Sequence, residues 1–239
     1  MAFYRQNLFF CNFLLAWLLL FSLLRTAQHF SFNTNACDLS LYDYAISSTL
    51  KGQIMTVPFQ GWSSYLAIHF APILFFLIPF YLILQGPLFL LYIQVLAVGL
   101  AAIPLYLLAK EKLAGKYPAS VVAVSYLLFR PLLNGLMYDF HPEMFFPLLI
   151  FSGHYYLTIR KNNFIFFLFI LLALFIKEDF AIYVFFYCLW LLRSPEHRKI
   201  GIRAAIASVI YITLAFAFFI PHFRNQINAP AAYEFMGKW

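Results

Sequence analysis

Three ionisable side chains crowd into "YDFHPEM" at 138–144: Asp139, His141 and Glu143. Carboxylates beside an imidazole can move a proton at neutral pH, accept hydrogen bonds from a polar ligand, or hold a cation. Yet the stretch lies between long apolar runs, and one charge buried in hydrocarbon costs several kcal/mol. It therefore sits at a water boundary or has partners. The spacing also resembles a set of metal ligands, but Pro142 interrupts any shared helical face. Metal binding is thus the weaker reading. A divalent cation is the one cofactor this set admits, and no other is implied.

Four more places carry chemistry. In "CDLSLYDYAISSTL", 37–50, Asp38 can cap a short helix whose Leu39, Tyr42, Ile46 and Leu50 share one face. The plain reading is an interfacial amphipathic helix. The functional one makes Asp38 a base held at the membrane surface. In "YLAIHFAP", 65–72, His69 can hydrogen-bond at the interface or, protonated, bind a phosphate. In "IKEDF", 176–180, Lys177 closes one helix while Glu178 and Asp179 open the next, which suits both helix dipoles without any function. Arg130 is different. It lies inside an apolar run, and an intramembrane arginine needs a partner. An external acid or a lipid phosphate would serve, because the guanidinium donates two parallel hydrogen bonds. It is expected to point into the bundle.

The elements that position these groups follow from composition. The chain has 239 residues, of which 64% are hydrophobic and 10% charged. Soluble domains average about 45–50% apolar and about 25% charged, so this is an integral membrane protein. The formal net charge is +7, but the cations sit in short loops between apolar runs. They set orientation, and nucleic acid is not the implied partner; the lipid bilayer is. Three cysteines give no disulfide framework.

Apolar runs at 7–24, 87–109, 117–137, 144–159, 164–176, 180–192 and 204–220 predict about seven transmembrane helices. No strand alternation suggests a barrel. The first run is too long for a cleaved signal and reads as an uncleaved helix. The basic loops 110–116, 160–163 and 193–203 face the cytoplasm, so "DFHPE" and "KED" share the external face. Segment 66–84, with Pro72, Pro79 and Pro87 around it, reads as irregular and non-spanning. That makes 25–65 a polar external loop of a single polytopic domain, 1–239. Pro142 suits the first position of the helix after the turn, with His141 near its cap and Glu143 in its first turn.

"CDLSLYDYAISSTLKG", "HFAPILFFLIPFYLI", "YDFHPEMFFPLLIF" and "KEDFAIY", in that order, resemble the prokaryotic membrane proteins of domain of unknown function 2079. Those in turn resemble the GT-C glycosyltransferases, multi-spanning enzymes that use polyprenyl-phosphate sugars. The resemblance implies an all-α fold with juxtamembrane helices in the first external loop. It implies Asp38 as catalytic base, with Asp43 the weaker candidate. His69 with Pro72 looks like the element ending that loop, and Asp139 stands where related enzymes carry an acid in the second external loop. The resemblance also implies further helices in most family members, so a truncated or minimal form is the expectation for this chain.

The leading expectation is therefore sugar transfer from a polyprenyl-phosphate donor on the external face of the cell (inner) membrane. Asp38 would be the base. Asp43, His69, Arg130, Asp139, His141, Glu143, Lys177, Glu178 and Asp179 would contact substrate, with Arg130, Lys177 or His69 stabilising the leaving phosphate. The alternatives are a transporter or flippase for a lipid-linked or anionic solute, and a non-catalytic assembly protein.

Overall fold

The computed structural model describes residues 7–34, 36–58, 64–113 and 115–225. Among these every regular element is helical. The first helix, α1 (Leu8–Phe30), continues six residues past the expected end, through "RTAQHF". The polar loop accordingly begins later than position 25. Then come α2 (Ala36–Leu50), a 3-10 turn (Tyr65–Ala67), α3 (Ile73–Tyr81) and α4 (Pro87–Lys112). Next are α5 (Lys116–Leu127), α6 (Arg130–Tyr138), a 3-10 turn (Pro142–Phe145) and α7 (Phe146–Thr158). The chain continues with α8 (Asn163–Leu174), α9 (Phe180–Leu191) and α10 (Arg198–Leu214). A π-helical stretch, Ala215–Phe219, leads from α10 into α11 (Ile220–Asn225).

The helices form two compact units, one of residues up to Leu39 with Gly86–Leu172, the other of Ser40–Gln85 with residues from Ala173 onward. In the first, α1 buries Phe10, Leu14, Trp17, Phe21 and Arg25, a stripe at spacings of three and four. Its other faces expose Leu15, Leu19, Leu20 and Leu23. A helix apolar on both its packed and its open faces belongs in lipid, not water. Phe10 stacks on Tyr106 of α4 at 4.4 Å, and Val95, Val98 and Ala102 complete the contact. In the second unit, α9 and α10 approach closely at Gly201. A Cβ there would stand 2.9 Å from the Cys188 carbonyl oxygen, so only glycine fits.

Among the described residues three helical stretches are long and apolar enough to cross a membrane: Leu8–Phe30, Pro87–Lys112 and Arg198–Arg224. A fourth exists if α5 and α6, bent by 43°, form one broken span. Pro131 explains the break, since it lacks the N–H that would bond the Leu127 carbonyl four residues back. Trp17 Nε1 donates to that freed carbonyl at 3.0 Å. The expected unbroken span over 117–137 is thus corrected to two pieces. Helices α7, α8 and α9 have 13, 12 and 12 residues, below the roughly 20 that cross hydrocarbon unaided.

Segment 66–84 is irregular as expected. Its helix, α3, has nine residues with Pro79 inside, about 14 Å of rise against about 30 Å of hydrocarbon. By itself it falls short of what crosses hydrocarbon unaided. Cys37 is exposed, Cys11 intermediate and Cys188 buried. A membrane-impermeant maleimide added to spheroplasts should therefore label Cys37 and leave the other two dark, with denatured protein as the control for access. Labelling of Cys37 only after permeabilisation would put the start of the loop on the cytoplasmic side.

Candidate functional site

The site in the first unit is built around a turn with no regular hydrogen bonding of its own. Helix α6 stops at Tyr138 because Asp139 is fully extended (φ −156°, ψ −173°). His141 is extended too (φ −140°, ψ 118°), as a residue before proline prefers. Pro142 then opens the 3-10 turn with Glu143 in its first turn, as the sequence predicts. The free backbone groups of this turn are taken up by the buried Gln94 amide, the half-buried Gln28 amide and the buried Arg25. Gln94 of α4 donates to the Asp139 carbonyl at 2.8 Å and accepts the His141 N–H at 2.6 Å. Arg25 Nη1 and Gln28 Nε2, both from the end of α1, donate to the Met137 carbonyl, each at 2.8 Å. Arg25 and Gln94 have no exposed surface.

The braced turn in turn holds α2. Asp139 is fully buried, and its Oδ2 accepts the Leu39 N–H at 3.0 Å while Oδ1 accepts the Phe140 N–H at 2.9 Å. Leu39 follows Asp38, so the start of α2 is fixed against the turn. Asp38 lies in the first turn of α2, not before it, which corrects its expected role as a cap. Its Oδ2 is 3.5 Å from His141 Nε2, with both side chains partly exposed (39% and 29%). One open acid beside one open imidazole is the arrangement that proton transfer to or from a ligand requires. Burial pushes the Asp139 carboxyl above its ordinary value. The N–H groups of Leu39 and Phe140 oppose that, the nearby Asp38 adds to it, and Arg25 pulls it back.

The second unit holds a separate pair. His69 Nδ1 lies 2.8 Å from Glu178 Oε1, and Glu178 Oε2 accepts the Phe70 N–H at 2.8 Å. The Ile73 N–H bonds to the Phe175 carbonyl at 2.8 Å, tying the start of α3 to the turn before α9. Burial pushes the Glu178 carboxyl up, but the His69 hydrogen bond and charge, with backbone donors, bring it below its ordinary value. Asp43 accepts from Tyr81 Oη at 2.7 Å, and Lys177 pairs with Asp179 at 3.8 Å.

Arg130 departs from expectation. It begins α6 at the break in the span and is exposed, not packed into the bundle. The Pro131 break lets its side chain leave the helix surface, from which a long basic stem can reach the lipid–water boundary. Among the described residues no group of three or more His, Cys, Asp or Glu is arranged to hold a metal ion. The metal-like spacing of Asp139, His141 and Glu143 does not close, because Asp139 is turned to backbone amides.

Residues 28–238 match the family model described as a predicted membrane protein, DUF2079. The chain belongs to this family. No curated protein and no solved structure matches in the corresponding comparisons. Within this DUF2079 chain, sequence reasoning missed Arg25, Gln28 and Gln94. A charge and an amide inside or ending long apolar runs were the signal, since such groups need partners in a bilayer.

The electrostatic influence of Arg25 on Asp139 has a testable consequence. Asp139→Asn should destabilise the protein by about 1–3 kcal/mol, because a buried donor loses its acceptor. Arg25→Met should also destabilise, by leaving the acid without its counter-charge. The double variant should lose less than the two singles together, and strict additivity in detergent thermal melts would contradict the coupling. The pH dependence has a fixed sign. The folded chain holds the Asp139 proton to higher pH than the unfolded chain, whose ordinary value is 3.8. This stabilising contribution is full below that value and declines as pH rises through the raised native one. Asp139→Asn should lack that component.

Proposed function

We propose that this DUF2079 protein is a GT-C-like membrane glycosyltransferase that takes a sugar from a polyprenyl-phosphate donor on the external face. The observation that carries the reading is the Asp38–His141 pair, an open acid at 3.5 Å from an open imidazole. It lies at the start of a short helix that follows the first long apolar helix. That is where the family resemblance puts a catalytic base.

Topology supports the same reading. Asp38 meets the "DFHPE" turn within the first unit, and His69 meets the "KED" turn within the second. Both turns alternate along the chain with the basic loops, so both are external by the distribution of Lys and Arg. Segment 31–72 then stays external, and α3 does not cross. The short helices α7, α8 and α9 would cross with their flanks, giving seven spans in the cell membrane.

In the reaction, the acceptor hydroxyl oxygen attacks the anomeric carbon. The bond from that carbon to the phosphate oxygen breaks, and polyprenyl phosphate leaves with the electron pair. Asp38 takes the hydroxyl proton, and His141 orients the carboxylate. Inversion follows from a single displacement.

Asp38→Asn tests this directly. The amide cannot accept a proton at neutral pH, so transfer to acceptors in isolated membranes should fall by about 10²–10⁴. Asn fills the first turn of α2 as well as Asp, so the fold should persist. Folded Asp38→Asn protein with parental transfer would remove the base. Flux of a lipid-linked solute through proteoliposomes, with no transfer by the parent, would favour the transporter.

A further inference from the structure

The second unit holds an arrangement that the Asp38 chemistry does not use. Glu178 is buried, and its two oxygens are taken by His69 Nδ1 and the Phe70 N–H. A carboxylate on one ring nitrogen makes that nitrogen the donor and directs the other outward. The His69 side chain is 36% exposed, and Nε2 has no hydrogen-bond partner among the described residues. The Glu178 carboxyl is held below its ordinary value, chiefly by the His69 hydrogen bond against the cost of burial, and both its oxygens are turned away from any ligand on Nε2.

Arg224 reaches the turn that leads into His69. Helix α11, which carries it, packs against the Tyr65–Ala67 turn. Its Nη2 donates to the Ala67 carbonyl at 3.4 Å, two residues before His69. Its Nε is buried and bonds to no acceptor among the described residues. A buried guanidinium N–H is rarely left so, and it has hydrogen-bonding capacity to give. Lys177 and Asp179, by contrast, pair with each other.

A third observation is independent. The last long span is distorted to π-helix at Ala215–Phe219, and Phe219 stacks on Phe70 at 4.3 Å and 2°. Single π turns inside helices are rare and concentrate at functional sites. This one touches the residue next to His69, and Tyr211 Oη reaches the Phe70 carbonyl at 3.5 Å.

We propose that this unit carries an anion site of its own, in which His69 Nε2 and the Arg224 guanidinium take a phosphate ester at the lipid–water boundary. The guanidinium fork matches the oxygens of a phosphate, and the imidazole, when a proton joins Nε2 as the anion binds, supplies a further directed N–H. Arg224 ends an apolar span and His69 precedes an apolar helix, so the site lies where a phosphate on a lipid chain would present itself. The proposal stands apart from the transfer reading, since a protein without transferase activity can hold a phosphate.

Full-length protein in dodecyl maltoside and phosphate-free buffer at pH 7 would be titrated by calorimetry with dodecyl phosphate and, separately, inorganic phosphate. His69→Asn keeps a donor toward Glu178 and removes Nε2. Arg224→Gln keeps a donor for Ala67 and removes the charge. The parent should bind at least one probe saturably, and each folded variant about tenfold more weakly. Preference for dodecyl phosphate assigns a lipid headgroup, and equal binding of both probes assigns free phosphate. No saturable binding by folded parent overturns the proposal whatever the variants do. So does parental affinity in either folded variant.

Discussion

A carboxylate with no exposed surface accepts the N–H of Leu39, and the position of Asp38 depends on that bond. Asp139 sits on a turn that has no ladder of its own. Gln94 engages that turn at two backbone groups, and Arg25 with Gln28 holds the carbonyl of Met137. Each of these polar groups would be costly alone in a low-dielectric interior. Through Asp139, Gln94, Gln28 and Arg25 Nη1 they answer much of one another's bonding, and such a network favours one geometry. The result is that Asp38 and His141, the two groups left partly open, face each other.

The membrane imposes the same rule elsewhere. Pro131 frees a carbonyl inside an apolar segment, and the Trp17 indole takes it. Glu178 is buried and answered by an imidazole and a backbone amide. The apolar surface left over is turned outward, as the exposed leucines of α1 show. Most of these polar groups are thus answered or open at a boundary, while Arg25 Nε and Nη2 and Arg224 Nε are buried without a partner among the described residues. The open ones, Asp38, His141 and His69, are those that can meet a ligand.

Much of this was legible in the sequence. Composition and run lengths implied an all-helical membrane protein, and the prolines around 66–84 implied an irregular segment, which the nine-residue helix with Pro79 inside matches. The apolar face of α2 followed from Leu39, Tyr42 and Ile46, all buried, and Pro142 announced the turn after His141. The bracing was not legible, because hydrogen bonds between residues about a hundred positions apart, such as Leu39 to Asp139, leave no local periodicity. Arg25 was hidden by the same cause, since its carbonyl partner at Met137 has no side-chain signature. Arg130 misled in the opposite direction. It looked like a bundle-facing charge, but Pro131 next to it broke the helix and left it exposed. Glu178 looked like a helix-end charge until the pairing with His69 gave it a partner.

The central claim is that Asp38, held by Asp139, is the group that meets the reacting centre of a lipid-linked sugar. An experimental structure of the full-length protein with a polyprenyl phosphonate sugar, which cannot be cleaved at the anomeric bond, tests this most directly. The account predicts the anomeric carbon within one acceptor hydroxyl of the Asp38 carboxylate, beside His141, with the Leu39–Asp139 hydrogen bond intact. A ligand bound away from Asp38, or a first turn of α2 detached from Asp139, would contradict it.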